Sequence, residues 1–310
     1  MCQWYPELRK RPYTVCESMP LRLASSHLRV DVGGLPAIDG LTFAATGDHV
    51  LVLGAARALF EAAAGLRLIA RGEILVEGRP PSTAIRDGVA ACAPLDPPLP
   101  SKWTVLQYVG WSAGLAGHAR GTAFALATEA LARMKIESMT RTRLGAAPVA
   151  VRRAAVLAAA LATGASTLLV EDPVAGLSGE AAHVLARAMV RAQEDRHTAM
   201  FAARVPLESP LALSADEAIV IEGSRVAAQG APAEIAAAEG AFSLRVQGNV
   251  EAFRRAVEAR GGRAQVATDA PAPVHVRVDL GPLIAVDLLR IAAESDAVVM
   301  ELRPLARAFA

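Results

Sequence analysis

Apolar and polar positions alternate along residues 28–46, with a break at Gly33-Gly34, which predicts two strands joined by a tight turn. After the turn at Gly47-Asp48, His49-Val50-Leu51-Val52-Leu53 has the length and composition of a buried strand, and Gly54 ends it. An alanine-rich helical run follows to Ala64 and is closed by Gly65. Gly72 to Gly78 predicts another short strand between turns. Strand, tight turn, helix, strand is the opening of an α/β core.

The segment from Thr104 to about Arg143 is helical in composition, with Trp103 and Trp111 near its start. A long alanine helix is predicted from about Pro148 to Leu161, broken by Thr163-Gly164. Thr167-Leu168-Leu169-Val170 predicts a buried strand ended by Glu171-Asp172-Pro173. A helix over 179–195, a strand over 198–203 and a hairpin over 218–226 follow. Strands alternating with helices predict a mostly parallel sheet. Near Gly240 the pattern changes. Strand 242–246, amphipathic helix 249–260, strands 264–266 and 274–280, helix 283–294 and strand 297–302 give the β-α-β-β-α-β order of the ferredoxin-like split motif. The expected organisation is therefore an extension over 1–26, an α/β domain over 27–240 and a small α+β domain over 241–310. Met1 to Ser26 mixes Arg, Pro, Trp and Tyr without periodicity and lacks the apolar core of a signal peptide.

Composition narrows the function. Lys and Arg number 32 against 31 Asp and Glu, a net charge of +1 spread along the chain. No clustered basic face marks a nucleic-acid binder. Cys2, Cys16 and Cys92 form neither a CxxC pair nor a metal spacing, so no metal site is expected and a reducing cytoplasm fits best. The six histidines do not cluster, and His183 and His197 read as surface residues. No apolar run of about 18 residues predicts a membrane span.

Several segments, in order and at consistent spacing, resemble an ATPase subunit of ABC transporters, from about Leu28 to Ile235. Ala37-Ile38-Asp39-Gly40-Leu41-Thr42-Phe43 resembles the hairpin before the phosphate loop. Leu161-Ala162-Thr163-Gly164, Thr167 to Pro173 and Ala175-Gly176-Leu177 resemble the end of the signature helix, the Walker B strand and the D-loop. Gly223 to Gly230 with Pro232-Ala233-Glu234 resembles the closing hairpin and helix start. The small C-terminal domain, with Glu301-Leu302-Arg303-Pro304, is similar to the appendage of ABC-2 exporter ATPases. The resemblance implies a P-loop NTPase-like fold, a mixed sheet with a helical subdomain, and in the family a Mg-ATP cofactor.

The residues that would bind that cofactor are largely missing. A phosphate loop needs glycines whose neighbouring N–H groups wrap the phosphates, a Lys for charge, and a Ser or Thr for Mg²⁺. Here Gly54 is followed by Ala55-Ala56-Arg57-Ala58-Leu59-Phe60. Counted to Gly65, the loop is about four residues shorter than that pattern requires. Gly54 and Arg57 are what remains of the nucleotide site; Arg57 is able to meet an anion at a helix start, or is simply a solvated helix-start residue. At the Walker B position the order is Glu171-Asp172, so each carboxylate has the other's length. They are the candidate catalytic pair, as a weakened metal site or as two acids held by loop contacts. Leu95 stands where the family has a Gln, Arg204 where it has the switch His, and Val32 where it has the aromatic that stacks on adenine. Ala147-Pro148-Val149-Ala150-Val151 stands at the signature, and Pro148 has no N–H to give.

The resemblance therefore implies a degenerate cassette: no cofactor and no hydrolysis are expected. The expected partners are a membrane permease and a second ABC ATPase subunit, or a second copy as a homodimer. The expected place is the cytoplasm, peripheral at the inner face of the membrane through a partner. Trp103 and Tyr108 are the candidate partner surface, or else ordinary core. Two other readings stay open. One is a working ATPase with a non-standard phosphate loop, and the other a scaffold independent of any transporter.

Overall fold

The computed structural model describes residues 21–238, 240–266 and 273–304. The chain opens with β1 (Leu23–Val32) and β2 (Leu35–Ala45), an antiparallel hairpin. β3 (His49–Leu53), α1 (Ala56–Ala63), β4 (Arg71–Val76), α2 (Pro81–Arg86) and β5 (Ala90–Ala93) follow. The helical part is α3 (Val105–Leu115) and α4 (Arg120–Arg133). The chain then returns through α5 (Val149–Ala162), β6 (Thr167–Glu171), α6 (Gly179–Ala192), β7 (His197–Ala202), α7 (Pro210–Leu213), β8 (Glu217–Glu222), β9 (Arg225–Gly230) and α8 (Pro232–Ala238).

The main sheet has six strands in the order β5-β6-β7-β3-β8-β9, parallel throughout except for β9. β3 and β6 are buried along nearly their whole length, as the apolar runs predict for central parallel strands. A second sheet, β2-β1-β4, is antiparallel and packs its apolar side on α1. Phe60 of α1 meets Phe201 of β7 edge to face, with ring centres 5.9 Å apart. Helix α5 buries every residue from Arg153 to Ala162. An alanine helix is thin enough to be covered on all sides, by the sheet, by α3 and α4, and by α6. Thr104 caps α3 with a capping box to Gln107, which fixes where the helical part begins.

The C-terminal strands β10 (Ala241–Gly248), β11 (Arg263–Val266), β12 (Val274–Asp279) and β13 (Ala297–Pro304) form their own antiparallel sheet, ordered β11-β12-β10-β13. Two helices, α9 (Val250–Ala259) and α10 (Ala285–Glu294), cover it around Phe242, Leu244, Phe253 and Ile291. α9 packs on β11 and α10 on β13.

The expected extension over 1–26 needs correction at its end; residues 1–20 lie outside the described residues. Leu23 to Ser26 are already part of β1; Leu23 to Ser25 pair with both β2 and β4 and Ser26 with β4, and Leu23 is fully buried. Arg22 is tied to Asp48 at 2.8 Å and Glu77 at 3.0 Å. The alternation is hidden by a bulge at Ser26-His27, where His27 has φ +48° and the registers with both neighbouring strands shift.

Candidate functional site

The residues singled out at the nucleotide position meet at the C-terminal ends of β3 and β6, where ligands bind in open α/β sheets. β3 passes into α1 through only two residues, Gly54 and Ala55. Gly54 has φ +113°, and its N–H donates to the carbonyl of Ala202 at 3.2 Å. A Cβ at this position would lie 2.1 Å from the carbonyl oxygen of Ile221 in β8. The chain is thus pressed against the neighbouring strand just where a phosphate loop would arch away. The passage between strand and helix is two residues long, and no Lys is present in α1. From Gly54 to Ala63 the chain carries neither the Lys nor the Ser or Thr that a Mg-ATP site uses.

Charged groups of the chain itself fill the neighbourhood. Arg57, exposed on the first turn of α1, pairs with Glu61 at 3.1 Å and comes within 4.0 Å of Glu171. These contacts, Glu61 first, raise the guanidinium above its ordinary value. Glu61 also takes Arg67. Burial pushes the Glu61 carboxyl up, but the hydrogen bonds from Arg67 and Arg57 outweigh it and hold the group below the usual range. Glu171, at the buried end of β6, accepts the N–H of Leu95 at 3.0 Å. The structure therefore brings Arg57, three residues past Gly54, to Glu171 and hands Glu171 to partners within the chain.

Asp172 has other partners. It follows β6 with φ +28° and accepts the N–H of Ala203 at 3.4 Å. Burial raises its carboxyl above the usual range, and the Ala203 N–H and the charge of Arg153 only partly offset this. A carboxyl raised in the folded chain holds its proton more tightly there than when unfolded. Its contribution is therefore most favourable below the unfolded value of about 3.9 and declines as pH rises through the folded value. Asp172→Asn removes the burdened charge and suits the positive φ. The variant is expected to unfold at a higher temperature than the parent near neutral pH, with the gap closing towards pH ~4. A lower midpoint at neutral pH would show instead that the charge is needed by its neighbours.

Arg153 is the residue that sequence reasoning missed. It is 8% exposed, on the second turn of α5. Its guanidinium donates to the carbonyls of Pro173 (3.4 Å) and Ala175 and lies 3.5 Å from Asp96. One side chain so joins α5, the loop after β5 and the loop after β6. Pro148 is the N-cap of α5 and offers no side-chain cap.

Trp103 and Tyr108 part company. Trp103 is 36% exposed and meets Trp111 edge to face at 5.6 Å. Tyr108 is half-buried and lines a cavity of about 600 Å³ with Cys92, Ile85, Leu115, Val156 and Thr163. Burial raises the Tyr108 hydroxyl and pushes the Cys92 thiol up to about 12. Val32 is 43% exposed at the end of β1, and its side chain has no π face. His197 needs a correction to its surface reading. It opens β7, partly buried, 3.2 Å from Glu77 and 3.5 Å from Asp48, at the opposite end of the sheet from Gly54.

A scan against models of protein families finds no match, and a sequence search of curated proteins finds none. Solved structures do match. The cbiO1 subunit of Clostridium perfringens, part of the ABC transporter complex cbiONQ, is similar at TM-score 0.59 and 20% identity, over 70% of this chain and 90% of that one. MJ1267, an ATP-binding cassette of an ABC transporter in its ADP conformation, gives 0.57 and 15%, over 69% and 92%. A bacterial Atm1-family ABC exporter with ATP bound gives 0.56 and 18%, over 70% of this chain and 39% of the longer exporter. The chain has the fold of an ATP-binding cassette. Its mixed, mostly parallel sheet is that of this fold. Among the described residues no helix is long and apolar enough to cross a membrane.

Proposed function

We propose that this chain is a nucleotide-silent cassette of an ABC-type transporter, acting by contact with a membrane permease or with a second cassette. The observation that carries the reading is the two-residue passage from β3 to α1, with Gly54 wedged on the Ile221 carbonyl. The fold supports a transporter subunit, since the similar structures are ATP-binding cassettes and an exporter of such systems. The chemistry supports silence. Arg57 and the Leu95 N–H attend Glu171, where a cassette in use would need a metal and a water. On this reading the protein works at the inner face of the membrane without crossing it. The helical part offers the permease its exposed apolar side chains, Trp103, Trp111, Leu115 and Phe124, and Leu115 lines the cavity together with Tyr108.

Thermal unfolding of the purified chain with and without millimolar Mg-ATP tests the proposal. A ligand at 100 times its Kd stabilises by about 2.7 kcal/mol, a shift of roughly 5–10 °C for a domain of this size. No shift is expected. A clear, Mg²⁺-dependent shift would overturn the reading and favour a working ATPase with a rebuilt phosphate loop.

A further inference from the structure

Three polar side-chain atoms are buried together at the end of the main sheet away from Gly54. They are Nδ1 of His49, Oε1 of Gln193 and Oγ1 of Thr198, and none has a hydrogen-bond partner among the described residues. Gln193 is 2% exposed and Thr198 3%. The parallel register of β3 and β7 sets His49 beside Thr198, and Gln193 is the C-cap of α6, the helix that leads into β7. With Leu51, Met200 and Leu211, all three residues line one cavity, which leaves about 10 Å³ open to the centre of a water molecule. Six buried side-chain atoms without a partner occur among the described residues. That three of them meet at one cavity marks a single site and not three separate defects.

Volume and chemistry choose the occupant. A space of this size takes one water and nothing larger. No acid, lysine or arginine lines it, so an ion would enter without a counter-charge. The imidazole nitrogen donates or accepts according to which ring nitrogen carries the proton, and the amide according to which end is turned inward. The threonine hydroxyl does both. Water donates two hydrogen bonds and accepts two, so it meets every combination that these three groups present.

We propose that one ordered water occupies this cavity and bridges His49, Gln193 and Thr198 as an integral part of the fold. It joins the first residue of β3, the end of α6 and β7 at one point. The link extends to the turn before β8, because the backbone N–H of His49 donates to the Asp216 carboxylate and its carbonyl accepts the Asp216 N–H, each at 2.9 Å. This inference does not depend on the nucleotide reading.

Thermal unfolding of Thr198→Val beside the parent chain tests it by sign. Valine has nearly the shape of threonine and suits a strand. A hydroxyl bonded to a buried water contributes a hydrogen bond, so its loss is expected to lower the midpoint by about 2–4 °C. A hydroxyl without a partner burdens the fold, and the same exchange would then raise the midpoint. NMR of the parent chain gives a second readout that needs no variant. Direct magnetisation transfer from water to the methyl groups of Met200 and Leu211, which carry no exchanging proton, is expected with the sign of a water that tumbles with the protein. A midpoint raised or unchanged in Thr198→Val overturns the proposal, as does the absence of that transfer.

Discussion

Gly54→Ala is expected to lower the thermal unfolding midpoint by roughly 10 °C, the larger of the two strongest effects foreseen for this chain. Two penalties add. The backbone at φ +113° is hostile to any side chain, and such strain costs about 1–3 kcal/mol. The new Cβ would also lie 2.1 Å from the Ile221 carbonyl oxygen, so something must move. That oxygen belongs to the backbone of β8, between β3 and β9, and no flexible side chain is there to yield. Overpacking of this kind adds about 1–3 kcal/mol, at 2–4 °C per kcal/mol for a domain of this size. Gly114→Ala is the control. Gly114 lies in α3 with nothing within 4 Å of the added atom, and the exchange should be neutral or mildly stabilising. Equal midpoints for Gly54→Ala and the parent would mean that the passage after β3 can move away from β8, which would leave room for a phosphate cradle.

Arg153→Ala is expected to cost about 3 kcal/mol in urea unfolding, with the m-value unchanged. The loss comes from two places. The carbonyls of Pro173 and Ala175 lose a charged donor, at about 1–3 kcal/mol for a buried group left unsatisfied, and the long side chain leaves a void. Arg153→Met refills most of the void and should recover part of the loss. Asp96→Asn should cost under about 0.5 kcal/mol, because that carboxylate is 67% exposed and its pairing is screened. If Asp96→Asn proves as costly as Arg153→Ala, the ion pair and not the carbonyl contacts holds the three loops.

Much of the fold was legible because its strongest signals are local. β3 and β6 are apolar runs bounded by turn residues, and both are central strands. The short passage after β3 was legible as a count of residues between Gly54 and Gly65. β1 was read too short because the bulge at Ser26-His27 breaks the period-two pattern that announces a half-buried strand. Arg153 was invisible for another reason. It stands in a helix start with Arg152 beside it, which reads as a solvated basic turn, and its acceptors are backbone carbonyls some twenty residues away. Carbonyls carry no side-chain signature, so no sequence pattern marks them. The approach of Arg57 to Glu171 is likewise spatial, joining residues of separate elements.

That approach has a consequence for how the protein meets changing conditions. A magnesium ion at a strand end is shared with the solution, and its occupancy follows supply. Arg57 is tethered to the strand it neutralises, so no chelator or dilution can remove it, although so exposed a pair contributes little energy. Glu171 in turn holds the loop after β5 through Leu95. The loop therefore hangs from a carboxylate whose counter-charge is written into the chain; on the proposed reading, where a cassette in turnover would alternate between two conditions, this one offers its neighbours a constant.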